Sequence, residues 1–363
     1  MNEKHKEPLM HIVKRDTIPL WQSIMVRVIA VLLALVVCAV VLIALTNLNP
    51  VGVYRAIFDG AIGTERRVWI TIKETFTLLI VALALAPAFK MKFWNIGAEG
   101  QFLIGGVATA AVMIYFGDKL PGAALIIVMA VASIVAGIIW GVIPAIFKAR
   151  WNTNETLFTL MLNYVALQIA NLCITYWESR EGSASVGIIN RDTHAGWLSE
   201  ALGTYGWHIV AAVVLMLIMY IYMRYTKHGY EISVVGESEN TAKYAGISVK
   251  KVIVRTMALS GAIAAFAGFM TVAGADHTIK ADTAGGMGFT AIVVAWMAHL
   301  NPFMMALIAF FLTFLSRGAV QTATLYNLDV NMSDVITGII LFFILGCEFF
   351  VNYKIQFRKK GAK

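Results

Sequence analysis

The chain has 363 residues, of which 59% are hydrophobic and 14% charged, with a formal net charge of +8. Its mean hydropathy of +0.75 excludes an ordinary soluble domain. The positive excess does not indicate nucleic acid, because the cations lie at helix ends and in tails, where membrane topology accounts for them.

Apolar runs of the length a bilayer demands, about 20 residues, recur along the whole chain without alternating strand patterns. This predicts an all-α polytopic membrane protein. The spans fall near 28–46, 74–89, 101–116, 122–147, 154–177, 207–224, 254–274, 287–300, 302–318 and 334–352, about ten helices. A polar N-terminal tail (1–27) has no cleavage site, so the first span is expected to be an uncleaved anchor. A single transmembrane domain (28–352) and a basic C-terminal tail (353–363) follow. With the N-terminus inside, 20 of the 29 Lys and Arg face the cytoplasm, so both termini are expected there. Cys38, Cys173 and Cys347 lack metal-ligand spacing and read as core residues.

Between Pro50 and Lys73 lies an outer segment with Trp69 as an interfacial anchor and with Arg55, Arg66 and Arg67 available to the carboxylates of an external partner. The stretch F-K-M-K-F-W-N-I-G-A-E-G-Q-F-L-I-G-G (Phe89 to Gly106) surrounds Asn95, Glu99 and Gln101 with glycines. That weakens helix where polar groups cluster, so a re-entrant or broken element is expected beside a polar pathway, with a plain cytoplasmic loop as the alternative. Further on, N-E-T-L-F-T-L-M-L-N-Y-V-A-L-Q-I-A-N places Thr156, Thr159 and Asn163 on one helix face and Tyr164, Gln168 and Asn171 on the next. Such stripes serve either helix-to-helix hydrogen bonding or a pore for an uncharged polar solute with an aromatic ring.

The outer loop from Glu178 to Tyr205 has no catalytic spacing, and His194 reads as an isolated surface side chain. A polar segment (229–253), too charged to be buried in lipid, separates two apolar spans. Ser238 and its neighbours Glu237, Glu239 and Asn240 offer helix-start chemistry, Thr241, Ala242, Lys243, Tyr244 and Ala245 a short helix, and Gly246 its end. Next, Gly261, Ala264, Ala265 and Gly268 form a small-residue face for close helix packing. Gly285 to Pro302 reads as a glycine-flexed start, an apolar half and a break at Asn301-Pro302; Asp329 and Asp334 bracket Asn331 in a solvated turn.

The run G-Y-E-I-S-V-V-G-E-S-E-N-T-A-K-Y-A-G-I-S-V, with S-G-A-I-A-A-F-A-G after it, resembles the coupling segment of ABC importer permeases of the ribose, branched-chain amino acid and nucleoside group. N-I-G-A-E-G-Q and N-E-T-L-F-T-L-M-L-N-Y resemble two further patterns of that group. Met297-Ala298-His299-Leu300 departs from its usual L-G before a basic residue. The resemblance implies a lateral coupling helix in which Gly236, Glu237, Ser238, Glu239, Asn240, Thr241, Ala242, Tyr244, Ala245, Gly246 and Ile247 dock on a separate ATPase. It adds weight to Asn95, Glu99, Gln101, Thr156, Thr159, Asn163, Tyr164, Gln168 and Asn171 as pathway residues, and makes the partner at Arg55, Arg66 and Arg67 a substrate-binding lipoprotein.

It implies, too, a shorter homologous permease as second subunit, a bacterial cytoplasmic membrane, and nucleosides as substrate; riboflavin or a simple sugar is the alternative. No G-x-x-x-x-G-K-[ST] loop occurs, so ATP and Mg are expected on the partner ATPase, with no cofactor, metal or catalytic residue on this chain. From a different class, an ion-coupled secondary transporter would place its ions around Glu99.

Overall fold

The computed structural model describes residues 10–14, 19–46, 49–179, 182–183, 185–203, 205–328 and 330–357. In chain order they form β1 (Met10–Lys14), α1 (Leu20–Thr46), α2 (Pro50–Ile62), α3 (Glu65–Lys90), α4 (Ala98–Phe116), α5 (Gly122–Trp151) and α6 (Glu155–Trp177). After them come α7 (Gly206–Tyr225), α8 (Lys227–Glu237), α9 (Glu239–Tyr244), α10 (Val249–Thr271), α11 (Met287–Met297), α12 (Pro302–Leu325), α13 (Val330–Asn352) and β2 (Tyr353–Phe357). A π-helical turn, Val272–Asp276, extends α10. Among the described residues, seven helices (α3, α4, α5, α6, α7, α10 and α12) are long and apolar enough to cross a membrane. The charges Lys4, Lys6, Arg15, Arg180, Arg358, Lys359, Lys360 and Lys363, and Asp329, lie outside the described residues.

The chain divides into two compact units. One comprises residues 1–67 and 314–363. In it α1 packs along α13, with buried Cys38 directing its thiol at the Ile336 carbonyl 3.8 Å away, and Cys347 is buried as well. Helix α2 starts on an Asn49 cap and packs closely on the second half of α12, where a Cβ on Gly60 would lie 2.5 Å from Gln321. The Tyr54 hydroxyl donates to the Leu35 carbonyl. Strand β1 pairs antiparallel with β2, Met10 opposite Phe357 and Lys14 opposite Tyr353. Residues of the two tails thus share hydrogen bonds.

The other unit, 68–313, is built around α10. Its expected small-residue face does the packing: a Cβ on Gly261 would lie 2.1 Å from the Gly137 carbonyl of α5, and one on Gly268 2.2 Å from the Phe102 carbonyl of α4. Helix backbones that approach this closely gain dispersion contacts that no larger residue would permit. The Ser133 hydroxyl adds a hydrogen bond to the Ala265 carbonyl at 2.8 Å.

Several helix limits differ from expectation. α1 starts at Leu20, inside the expected tail, and α13 starts at Val330, so Asn331 and Asp334 are helical rather than in a solvated turn. Gly105 and Gly106 do not break α4; a Cβ on Gly105 would lie 2.4 Å from the Ala265 carbonyl, so that glycine serves packing. The loop after α6 is folded over the end of α4 and α10: the Asn190 amide donates to the Met113 carbonyl at 2.9 Å, and the Leu198 N–H to Ala273. His194 is therefore not isolated. It stacks on Trp197 at 4.3 Å, which stacks on His277 at 3.8 Å.

Candidate functional site

Two stretches of the larger unit leave helical form while running alongside helices. The first, 91–97, starts at the end of the bundle that carries α8 and α9, where a Cβ on Gly236 would lie 2.1 Å from the Lys90 carbonyl. It climbs until Asn95 donates to Ser260, midway along α10, at 3.0 Å. The second, 277–286, descends along α4: Ile279 packs against Gly106 midway along that helix, and Gly286 reaches Glu99 near its start. Irregular backbone at membrane depth persists only where protein groups satisfy it or where it borders water.

The first stretch is satisfied by the two expected motifs acting on each other. Thr159 accepts from the Ile96 N–H at 3.2 Å. Asn163 donates to the Ile96 carbonyl and accepts from the Gly100 N–H, each at 2.9 Å. Asn95 accepts from the Gly97 N–H at 2.9 Å and donates to Gln101 at 3.2 Å. Asn95, Gln101, Thr159 and Asn163 are all buried. Their hydrogen bonds go to one another, to Ser260 and to the backbone of the irregular stretch and its flanks. Tyr164 and Gln168, farther along α6, are exposed, while Thr156 and Asn171 are half-buried. Leu157, Met161 and Val165 are exposed on this helix as well.

Glu99 holds the second stretch. Its carboxylate accepts from the Gly286 N–H at 2.8 Å and from the Gly288 N–H at 2.6 Å, capping α11 from another helix. Anionic oxygens at a helix N-terminus satisfy orphan donors and complement the dipole. Glycine is required here twice over. Gly286 has φ +75°, and a Cβ on Gly288 would lie 2.3 Å from the Glu99 nitrogen. With 11 residues, α11 is about 17 Å long, half of what crossing demands, so the expected span 287–300 is a half-helix, preceded by the irregular stretch 277–286. It ends at the expected break, where Asn301 caps α12 by accepting from the Phe303 N–H at 3.0 Å.

At the α8–α9 end, Ser238 caps α9 by accepting from the Thr241 N–H at 3.2 Å, and Gly246, at φ +75°, follows it. Ala242 is buried in a cluster with Ile232, Val235, Val249 and Met91. Glu237, Glu239, Asn240, Thr241, Ala245 and Gly246 are exposed, Ser238 and Ile247 half-buried, and Tyr244 is 94% exposed. A charge-assisted bond ties α8 to α10, Arg255 Nη2 donating to Glu231 at 2.8 Å with side chains 34% and 15% exposed. That guanidinium holds the Glu231 carboxyl below the ordinary carboxylate range. A carboxylate whose acidity rises on folding stabilises the fold above its unfolded pKa, and that share is lost as pH falls through the lowered folded value. We therefore expect Glu231→Gln to cost about 1 kcal/mol or less at neutral pH. Thermal unfolding of both proteins from neutral to strongly acidic pH checks this, since the gap must close toward the acid end.

The structure also assembles residues that sequence spacing does not connect. Lys73 of α3 pairs with Asp276 of the π-helical turn at 3.1 Å, beside buried His208, whose ring would lie 2.9 Å from a Cβ on Gly274. Trp94 and Trp296 stack at 5.2 Å. Of the expected docking arginines, the Arg55 side chain is 86% exposed and lies 4.0 Å from Asp59, and Arg66 is exposed. Arg67 donates to the Asp59 carbonyl at 3.0 Å.

A bundle with seven helices of membrane-crossing length and apolarity among its described residues is a multi-pass membrane protein. The family model for the branched-chain amino acid transport system / permease component matches residues 70–345, and the chain belongs to that family. It is similar to the glucose ABC transporter permease protein TsgB13 of Haloferax volcanii, 29% identical over 96% of this chain and 94% of the relative. The guanosine ABC transporter permease protein NupP of Bacillus subtilis is 29% identical over 93% of this chain and 98% of its own length. The nucleoside ABC transporter permease protein NupB of Lactococcus lactis is 27% identical, over 89% and 91%. The chain is thus an ABC transporter permease subunit, a transport component and not an enzyme, working with other ABC components. An ion-coupled secondary transporter is set aside by that membership.

Proposed function

We propose that this chain is the longer permease of an ATP-driven nucleoside importer in a bacterial cytoplasmic membrane, both termini facing the cytoplasm. A shorter homologous permease is its partner across the pathway. Two ATPases supply ATP and Mg chemistry from the cytoplasmic side. An external lipoprotein delivers solute to a surface that includes Arg55, Arg66 and Arg67. The observation that carries the coupling is mechanical: the exposed α9 lever is joined through α8 to α10 by Glu231–Arg255 and to the end of α3 by the Gly236–Lys90 approach. A push on residues 236–247 then reaches α10, against which α4 and α5 are packed. Alternating access follows from two packings of that bundle.

Nucleosides are favoured because two relatives named for them match nearly end to end. The glucose relative supports a simple-sugar alternative to the same degree of identity. Reconstituted transporter given labelled guanosine and labelled glucose, each with its receptor, separates the two. For the lever, Gly246→Pro is expected to leave ATP hydrolysis running and to cut uptake at least tenfold. Proline cannot take φ +75° and removes the N–H that Gly246 donates to Lys243. Uptake within twofold of the parent would remove the coupling role.

A further inference from the structure

The half-helix ends on an aromatic group that none of the packing described above requires. Trp296, one residue before the end of α11, lies nearly parallel to Trp94 of the first irregular stretch, centroids 5.2 Å apart at 20°. Buried Phe89 backs both rings, at 6.0 Å from Trp94 and 5.9 Å from Trp296. The pair is nonetheless open: Trp94 is 43% and Trp296 46% exposed. Neither indole N–H finds an acceptor among the described residues. The stretch bearing Trp94 is the one held by Thr159 and Asn163 of α6, and the helix bearing Trp296 is the one held by Glu99. Both rings therefore hang on the polar framework at membrane depth.

We infer that Trp94 and Trp296 form a stacking platform for the planar ring of the transported solute at the lever end of the pathway, their indole N–H groups free to donate to its carbonyl or hydroxyl oxygens. The inference deepens the nucleoside reading and rests on it for the solute class. A stacked base gains energy from any aromatic face without sequence-like recognition, which suits a pathway that must release what it binds. The platform exists only while α11 keeps its position, so a shift of that half-helix between two packings would separate the rings and weaken the hold.

The test uses the complete transporter in proteoliposomes and labelled guanosine. Trp296→Phe keeps an aromatic face and is expected to stay within about twofold of the parent, whereas Trp296→Leu keeps bulk without the face and loses about tenfold, the scale of one base-on-aromatic stack. Trp94→Phe and Trp94→Leu repeat the comparison on the other ring, so failure of one variant to assemble leaves the other pair decisive. Parent-like uptake in the leucine variants would reduce the pair to interfacial anchors and overturn the inference. Equal losses in the phenylalanine and leucine variants would assign the rings to packing and overturn it too. Should the parent carry glucose and not guanosine, the nucleoside reading fails and the planar-ring platform falls with it. Guanosine uptake without a Phe–Leu difference leaves the nucleoside reading standing and overturns the platform alone.

Discussion

Glu99→Ala is expected to lower uptake by at least tenfold while the protein remains folded. The carboxylate accepts two N–H groups at the start of α11, 2.8 and 2.6 Å away, from a position nearly two hundred residues distant in sequence. Removing it leaves both donors unpaired at membrane depth, at about 1–3 kcal/mol each. Because α11 is only a half-helix, that is a large share of what holds its N-terminal end. Glu99→Gln should be intermediate, since an amide oxygen can accept one N–H while its NH₂ opposes the other. Uptake measured in proteoliposomes, with hydrogen exchange at residues 286–288, reads both effects. Parent-like uptake and protection in the alanine variant would show that α11 is positioned by something else.

Gly261→Val is expected to have the largest effect on stability. A Cβ there would lie 2.1 Å from the Gly137 carbonyl of α5, and 2.9 Å from its carbonyl carbon. Backbone cannot move aside as a flexible side chain can, so the cost lies at or above about 3 kcal/mol, the upper range for overpacking. Gly122→Ala supplies the contrast, with nothing within 4 Å of its added carbon. Thermal unfolding in detergent, followed by tryptophan fluorescence, should show a large drop for the first and none for the second. Similar midpoints would mean that α5 and α10 separate readily, and the larger unit would need another centre.

The links among the three polar motifs explain why they recur together in this chain. Asn163 and Thr159 hold the backbone around Ile96, and the stretch they hold leads directly into Glu99. Glu99 in turn holds Gly286 and Gly288. Each side chain supplies hydrogen bonds that a neighbouring segment lost by leaving helical form.

Local chemistry made much of this readable from residues alone. Apolar windows place the helices because lipid penalises any other backbone. Ser238 and Gly246 bound the lever because capping is settled within one turn, and the small face of α10 follows from helical spacing. The Asn95, Glu99 and Asn163 motifs are visible as polar residues where lipid would not tolerate them. What they do is not visible, because a buried donor is satisfied by whichever distant acceptor the tertiary packing brings near. That is why Asn95, Gln101, Thr159 and Asn163 prove to be bracing, why α11 stops halfway, and why Trp94 meets Trp296 and Lys73 meets Asp276.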